Sequence, residues 1–120
     1  IPRYLKAADV LVLPNSARAK DPRFAIYSQS DTSPVKLFEY MASGTPIVAS
    51  DLPSVREVVN ERSAFLVPPD SPRALQDGIT RVLSDSAFSA RLAENAAHEV
   101  ERYSWEKRGA HILSFMNTCV

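Results

Sequence analysis

Three short apolar runs, separated by longer helical patterns, constrain the fold of this chain most strongly. None of the runs alternates polar with apolar side chains, and each is short enough for a strand; they are Val10–Leu13, Ile47–Ala49 and Ala64–Val67. Continuous apolar strands are typical of a parallel sheet that helices cover on both faces. The sequence therefore predicts an α/β fold: a small parallel sheet of about three strands flanked by helices, with an all-helical C-terminal third.

The helix between the first two runs has the clearest boundaries. Thr32 or Ser33 suits the N-cap, and Pro34 suits the first helical position because its ring presets the backbone angle. Gly44 suits the residue that ends a helix. These signals predict a helix over residues 34–43.

Glu39 is the unusual residue of this helix. The expected apolar stripe consists of Val35, Phe38, Met41 and Ala42. Glu39 follows Val35 by one turn, so the spacing places its carboxylate on the buried face, where burial without a partner costs several kcal/mol. We therefore expect Glu39 to be hydrogen-bonded, ion-paired or in contact with a ligand. The spacing is equally compatible with a side chain that reaches the surface or pairs with a local Arg or Lys.

Helical periodicity also precedes the first run and fills the C-terminal third. Pro2 suits the first turn of the opening helix, and residues 53–59 form a short one. The helix capped by Asp70 or Ser71 has an expected apolar face of Leu75, Ile79, Val82 and Leu83, and the next has Phe88, Leu92, Ala96, Val100 and Tyr103. The last helix opens at Ser104, and we expect Trp105 to anchor it by packing.

Composition indicates one ordinary domain over residues 1–120. The chain is 45% hydrophobic and 23% charged, and its formal net charge is zero, which argues against broad binding to nucleic acid or an anionic membrane. No apolar run approaches the roughly 20 residues of a membrane span. Cys119 is the one cysteine, so no internal disulfide can form, and we expect a reducing cytoplasm. Because the chain begins at Ile1 directly within a helical pattern, we interpret it as a piece of a longer protein.

The start of the 34–43 helix is the expected ligand site. In open parallel sheets, ligands lie beyond the carboxyl ends of the strands, where the next helix offers free N–H groups and partial positive charge. The backbone N–H groups expected to face a phosphate are those of Thr32, Ser33 and Val35. Glu39 can accept hydrogen bonds from a vicinal diol such as a ribose, and Asp31 can hold another polyol. A helix cap with a purely structural role is the alternative.

Several other kinds of site are excluded or disfavoured. His98 and His111 are thirteen positions apart, and no Cys or carboxylate pattern around them resembles a metal site. The chain has three glycines and lacks both the phosphate-loop motif G-x-x-x-x-G-K and the dinucleotide fingerprint G-x-G-x-x-G. It also lacks the G-x-S-x-G elbow of serine hydrolases.

Four segments follow one another in an order that is specific when they are taken jointly. They are Leu5-x-x-Ala8-Asp9-Val-Leu-Val-Leu-Pro14, Lys36-Leu-Phe-Glu39-Tyr-Met-Ala-Ser-Gly44-Thr-Pro-Ile-Val-Ala-Ser-Asp51, Phe65-Leu-Val-Pro-Pro69-Asp and Tyr103-Ser-Trp105. Together they resemble the group 1 glycosyltransferases, enzymes of the GT-B architecture in which two Rossmann-like domains face each other across a cleft. The resemblance covers essentially the whole chain and implies that it is the C-terminal part of the donor-binding half.

The resemblance also implies roles for individual residues. Glu39 corresponds to the second acid of the family's E-x7-E motif, which holds the ribose hydroxyls of a sugar nucleotide. Asp31 stands at the first acid's position, whose carboxylate contacts the donor sugar or stabilises charge near the reacting carbon. The stretch Thr32–Val35 corresponds to the backbone that faces the diphosphate and the sugar. Lys36, early in the helix, is a candidate phosphate contact.

The chain departs from the family pattern at the first acid. Asp31 is one methylene shorter than the usual Glu, and Thr32-Ser-Pro34 replaces a glycine-containing turn, which leaves the backbone less freedom to wrap a sugar. The family's diphosphate-binding Arg and Lys lie upstream of the segment that this chain resembles. Arg18, Lys20 and Arg23 follow the first strand, and we interpret them as solvated surface charges.

The function that the resemblance implies is transfer of a sugar from a nucleotide-diphosphate sugar, such as a UDP- or GDP-sugar, to a glycan, a lipid-linked glycan or another acceptor. Members of the family generally retain the anomeric configuration and need no metal or other cofactor. The acceptor would bind through the missing N-terminal domain, so we expect residues 1–120 alone to be inactive. We expect a cytoplasmic enzyme, with the inner face of a membrane as a potential place of action. The alternatives are another GT-B-type enzyme, such as an epimerase or phosphorylase, and a noncatalytic binding or interaction domain.

Overall fold

A computed structural model gives the fold, and the structure describes residues 2–18 and 35–119. Those residues form helices and strands in the alternating order that the sequence predicts. In chain order the elements are α1 (Pro2–Ala7), β1 (Leu11–Leu13), α2 (Val35–Ser43), β2 (Ile47–Ser50), α3 (Pro53–Arg56), β3 (Phe65–Val67), α4 (Pro72–Ser84), α5 (Ser86–Val100), a 3-10 turn (Glu101–Tyr103) and α6 (Trp105–Thr118).

The three strands form one parallel sheet in the order β1-β2-β3. Where β1 pairs with β2, Leu11 lies opposite Ile47. Where β2 pairs with β3, Val48 lies opposite Phe65. This arrangement confirms the predicted α/β class and the three-stranded parallel sheet. The first and third strands each begin one residue later than the apolar run that predicted them, at Leu11 and Phe65.

The core lies on both faces of the sheet, and this explains why β2 is buried along its whole length. Alternate residues of a strand point to opposite faces. Ile47 and Ala49 pack with Leu37 and Met41 of α2, whereas Val48 packs in a second cluster with Val82 of α4. Since helices cover both faces, every β2 position is shielded from water, and the strand reads as a continuous apolar run.

Several predicted helix boundaries are confirmed. Gly44 follows the last residue of α2 with a φ of 75°, a left-handed conformation that suits glycine. The Ser71 side chain accepts a hydrogen bond from the Ala74 N–H and is therefore the N-cap of α4. Ser104 caps α6 in the same way. The expected start signals of α2, Thr32-Ser-Pro34, lie outside the described residues.

The predicted buried face of α2 is half right: Met41 is buried and Phe38 packs against the core as expected, but the other two predicted positions are exposed. Leu37 and Met41 are completely buried, whereas Val35 is 70% exposed and Glu39 and Ala42 are exposed. Positions two apart on a helix differ by about 200°, so Glu39 lies on the side opposite both Leu37 and Met41. Because five of the nine α2 residues are apolar, more than one stripe fitted the pattern, and the expected burial of the Glu39 carboxylate does not occur.

The C-terminal helices pack less extensively than their patterns predict. Trp105 is 83% exposed and does not anchor α6, in which no residue is buried. Leu83, expected on the inner face of α4, is exposed as well. The buried residues of α4 are Val82 and Gly78. Tyr103 belongs to the 3-10 turn rather than to α5, and its ring lies against Phe38 with 5.0 Å between centroids. Among the described residues, no helix is long and apolar enough to cross a membrane.

Candidate functional site

Glu39 lines a cavity of about 220 Å³ between α1 and α2. One wall consists of α1 residues and the other of residues on the outward side of α2; the lining is Pro2, Leu5, Lys6, Glu39, Ala42 and Ser43. We call this space the α1–α2 cavity. Because Glu39 faces away from the core, its carboxylate remains solvated and can reach a molecule that enters the cavity.

A buried threonine fixes the distance between the two walls of the α1–α2 cavity. Thr45, just after α2, donates its hydroxyl to the Leu5 carbonyl of α1 at 2.9 Å. The Thr45 N–H in turn donates to the Ser43 hydroxyl, which caps the end of α2 by donating to the Tyr40 carbonyl at 2.7 Å. These bonds tie α1 to the C-terminal turn of α2, so the cavity has walls that do not depend on a ligand.

The lining of the α1–α2 cavity combines apolar side chains with two side chains of opposite charge. Pro2, Leu5 and Ala42 offer apolar surface, while Lys6 and Glu39 bring opposite charges. A carboxylate has about four lone-pair sites and therefore accepts hydrogen bonds from two neighbouring hydroxyl groups. The cavity is smaller than the roughly 300 Å³ at which pockets for whole small molecules begin, so it suits one part of a larger ligand.

Three of the predicted site residues fall on the described part of α2. Val35 and Lys36 form its first turn and are exposed, and Glu39 follows Val35 by one turn on the same side of the helix. The structure thus brings the helix start and the Glu39 carboxylate onto one accessible face. The other predicted site residues, Asp31 and Thr32-Ser-Pro34, lie outside the described residues, as do Lys20 and Arg23.

A second cavity, of about 400 Å³, opens at the carboxyl ends of all three strands. Its lining comes from the segment after β1, from the last residues of β2 and β3, from the residues that follow β3 and from the start of α4: Pro14, Arg18, Ser50, Val67, Pro68, Asp70, Ser71, Pro72 and Leu75. We call it the strand-end cavity. Its position is where open parallel sheets bind ligands.

Asp70 connects the two sides of the strand-end cavity. Its carboxylate accepts hydrogen bonds from the Ser16 hydroxyl and, at 3.0 Å, from the Ala17 N–H. The Ser16 hydroxyl bond holds the pKa of the Asp70 carboxyl below its ordinary value, and the Ala17 N–H and the charge of Arg18 act in the same direction. Asp70 thus stays ionised at neutral pH.

Sequence reasoning missed the α1 residues of the first cavity and the Asp70 contacts of the second. Pro2, Leu5 and Lys6 carry no motif, and only the packing of α1 on α2 makes them neighbours of Glu39. For Asp70 the sequence indicates only a local role, as an alternative to Ser71 for the helix cap, and gives no sign of its contact with Ser16, 54 positions away. Among residues 2–18 and 35–119, no cluster of His, Cys, Asp and Glu side chains could hold a metal ion.

Comparison with known proteins points to one family. The sequence profile described as "Glycosyl transferases group 1" matches residues 1–99. The chain is 30% identical over 117 residues to phosphatidyl-myo-inositol mannosyltransferase of Mycolicibacterium smegmatis, an alignment that covers 97% of this chain and 30% of that protein. The chain therefore spans about a third of the length of this relative.

Solved structures show the same fold. Sucrose-phosphate synthase from Thermosynechococcus elongatus superposes with a TM-score of 0.74 and 28% identity over 97% of this chain and 26% of its own. Anabaena HepE, whose structure is a complex with UDP, superposes with a TM-score of 0.80 and 22% identity over 98% of this chain and 30% of its own. With the profile match over most of its length, this chain belongs to the group 1 glycosyltransferases.

Proposed function

We propose that this chain supplies part of the donor site of a glycosyltransferase that transfers a sugar from a nucleotide-diphosphate sugar to an acceptor. The observation that carries the proposal is the position of Glu39, an exposed carboxylate on the wall of a largely apolar cavity, one turn inside the helix that follows β1. In this family context the carboxylate accepts hydrogen bonds from the ribose hydroxyls of the donor.

The α1–α2 cavity supports this role for Glu39 through its shape and lining. A nucleoside combines a flat ring with a vicinal diol, and the cavity combines the apolar surface of Pro2, Leu5 and Ala42 with one carboxylate. In the proposal the ring lies against the apolar wall while the ribose turns its two hydroxyls toward Glu39. Lys6, on the opposite wall, leaves the cavity with no net negative charge to repel the donor.

The diphosphate would lie at the start of α2. Helix N-termini present backbone N–H groups and a partial positive charge, which together stabilise phosphate oxygens. The proposed contacts are Thr32 to Val35 and the ammonium of Lys36, with Asp31 directed at the donor sugar. Charge that develops on the departing diphosphate would be offset there, which is electrostatic stabilisation of the leaving group without a metal.

The acceptor site belongs, in this proposal, to a part of the enzyme outside residues 1–120. Relatives carry much sequence beyond the matched third, and one is named for transfer of mannose to phosphatidyl-myo-inositol. A glycan or lipid-linked acceptor is therefore the class proposed for the whole enzyme. Residues 1–120 alone should bind donor weakly and transfer no sugar, because geometry between two reacting molecules supplies much of the rate enhancement.

The test of the proposed reaction is an assay of the full-length protein with UDP- and GDP-linked sugars in the presence of glycan and lipid acceptors. Release of nucleoside diphosphate together with a new glycosidic bond is the expected result. A product that is an isomerised sugar nucleotide would indicate an epimerase, and a sugar phosphate formed with inorganic phosphate would indicate a phosphorylase. Transfer by residues 1–120 alone would contradict the proposed division of the site.

A further inference from the structure

Ser50, the last residue of β2, carries a hydroxyl group that is buried without a protein partner. The residue is only 3% exposed, and no group within residues 2–18 and 35–119 forms a hydrogen bond with its hydroxyl. The Ser50 oxygen is not fully enclosed, because Glu99 Oε2 is the one fully enclosed side-chain oxygen or nitrogen without a partner in those ranges. Since Ser50 lines the strand-end cavity, its hydroxyl faces that cavity and is available to a ligand there.

The Ser50 side chain lies on the α4 face of the sheet. Ala49 packs in the cluster that contains α2 residues, whereas Val48 packs in the cluster on the α4 side. Because alternate residues of a strand point to opposite faces, Ser50 shares the face of Val48, and so does Val67, which lies opposite Ser50 in β3. The strand-end cavity and the α1–α2 cavity have no lining residue in common. Ser50 therefore belongs to a site separate from that of Glu39.

The strand-end cavity has a buried floor and an exposed rim. Ser50 and Val67 are buried and form the floor, and Leu75 of α4 is half-buried. Arg18 and Asp70 are exposed and stand on the rim. The other exposed lining residues offer apolar ring surface; they are Pro14, Pro68 and Pro72. With a volume of about 400 Å³, the cavity falls in the range of roughly 300–1,000 Å³ that pockets for whole small molecules occupy.

The polar groups of the strand-end cavity represent all three kinds of hydrogen-bonding partner. The Arg18 guanidinium only donates, the ionised Asp70 carboxylate only accepts, and the Ser50 hydroxyl does both. Asp70 already accepts hydrogen bonds from the Ser16 hydroxyl and the Ala17 N–H. A carboxylate has about four lone-pair sites, so Asp70 retains capacity to accept hydrogen bonds from a ligand.

A neutral ring of hydroxyl groups fits this lining better than an ion does. The charges of Arg18 and Asp70 offset each other, so the rim has no net charge to attract an ion. A charged group beside Ser50 and Val67 would lose its hydration without meeting an opposite charge on the floor of the cavity. A sugar unit offers neutral hydroxyl groups that both donate and accept, and its C–H faces can pack on the proline rings of the rim.

We propose that the strand-end cavity is a binding site for one sugar unit, and that Ser50, Asp70 and Arg18 are its hydrogen-bonding residues. The site does not depend on the nucleotide-binding role proposed for Glu39, because the two cavities share no residue. The sugar unit can belong to a nucleotide sugar or to a glycan. These two sources have the same ring chemistry, and the arms of the test separate them.

Four variants isolate the hydroxyl and the carboxylate. Ser50→Ala removes the hydroxyl with little change of volume, and its control is Ser54→Ala in α3, where the serine is equally buried, at 5% exposed, but lies outside the cavity. Asp70→Asn removes the charge, and Asn tolerates the φ of 58° that Asp70 adopts. Asp77→Asn removes a carboxylate from the exposed side of α4 and is the control for charge.

The first readout is the dissociation constant of methyl α-D-glucopyranoside and methyl α-D-mannopyranoside for the full-length protein, measured by ligand-observed NMR. We expect Ser50→Ala to weaken binding about fivefold and Asp70→Asn about tenfold or more, because hydrogen bonds to charged groups are the stronger ones. Ser54→Ala and Asp77→Asn should bind like wild type. Undiminished affinity in Ser50→Ala would overturn the proposal, and so would displacement of the glycosides by inorganic phosphate, which would indicate an ion site.

The second readout locates the sugar by amide hydrogen exchange. We expect the glycosides to slow exchange in residues 70–75 of wild type and not of Ser50→Ala. Slower exchange confined to residues 36–43 would place the sugar at the α1–α2 cavity and overturn the proposal. Protection of residues 70–75 by UDP-glucose or GDP-mannose, but not by UDP or GDP, would support the proposal and assign the sugar unit to the donor. Glycoside protection that persists with saturating nucleotide sugar would support it and assign the unit to a glycan.

Discussion

Gly78 of α4 lies directly against Val67 of β3: a Cβ atom placed on Gly78 would stand 2.7 Å from Val67 Cγ1. The ring of Phe65 is next, at 3.2 Å. Since real Cβ contacts are not this short, the helix can approach the sheet so closely only because residue 78 has no side chain. Val67 borders the strand-end cavity, so this close approach also fixes one of its walls.

Gly78→Ala should therefore destabilise the protein even though alanine favours a helix. The matched control is Gly109→Ala in α6, where an added Cβ meets nothing within 4 Å. We expect Gly109→Ala to raise the free energy of unfolding by about 0.5–1 kcal/mol. Overpacking should place Gly78→Ala about 1–3 kcal/mol below that control. Urea denaturation of both variants tests this, and equal stability would show that the sheet yields to the added methyl group.

The elements of the fold were predictable because their signals are local. Gly44 ends a helix through its own backbone freedom, and Ser71 caps one through an N–H only three residues away. The three apolar runs are local signals too, and each of them contains a strand. The strand ends differ from the prediction by one residue, and the largest difference is at α3, which was expected over residues 53–59 and ends at Arg56.

Which residues meet in space was less predictable. In α2, both Val35 and Leu37 are apolar, and only the position of the sheet decides that Leu37 is buried and Val35 exposed. The sequence pattern indicates Glu39 as a site residue because its carboxylate is expected to be buried, but in the structure Glu39 is exposed. Asp70 contacts Ser16 and Ala17, which precede it in the sequence by 54 and 53 positions. No local sequence pattern predicts contacts at that separation.

A second matched pair, Leu92 and Leu113, tests whether the core includes α5 and excludes α6. Leu92 of α5 is 2% exposed and packs with Val48, Val67 and Val82, whereas Leu113 of α6 is 62% exposed. Leu92→Ala should lower the free energy of unfolding by about 2–5 kcal/mol because it leaves a cavity in the core. Leu113→Ala should change it by less than about 0.5 kcal/mol. A large loss from Leu113→Ala would mean that α6 is covered in solution.

Arg56 of α3 should make stability depend on pH in the acid range. Its guanidinium donates to Asp51 at 2.8 Å and to Glu61 at 2.6 Å, and these bonds hold the pKa of both carboxyl groups below their ordinary values. A depressed pKa contributes stability above the ordinary value, and that contribution is lost as the pH falls through the pKa of the folded state. Wild type should therefore lose this stability below the ordinary values of 3.8 and 4.5.

The variant that tests this is Arg56→Gln, with Arg73→Gln of α4 as the control. We expect Arg56→Gln to be less stable than wild type at neutral pH and the difference to shrink as the pH falls from about 5 to 2. Added salt should reduce the difference as well, since the three side chains are substantially exposed. A difference that stayed constant down to pH 2 would show that Arg56 acts through packing rather than charge.

The most direct measurement of the central claim asks whether Glu39 senses the ribose hydroxyls. Calorimetry on the full-length protein would compare UDP and GDP with their 2′,3′-dideoxy forms, in wild type, in Glu39→Ala and in the control Glu94→Ala on the exposed side of α5. Wild type and Glu94→Ala should bind the ribonucleotide about 10- to 100-fold more tightly, as expected for hydrogen bonds to a carboxylate. Glu39→Ala should bind both forms almost equally. A Glu39→Ala variant that kept the full preference for the ribonucleotide would contradict the account.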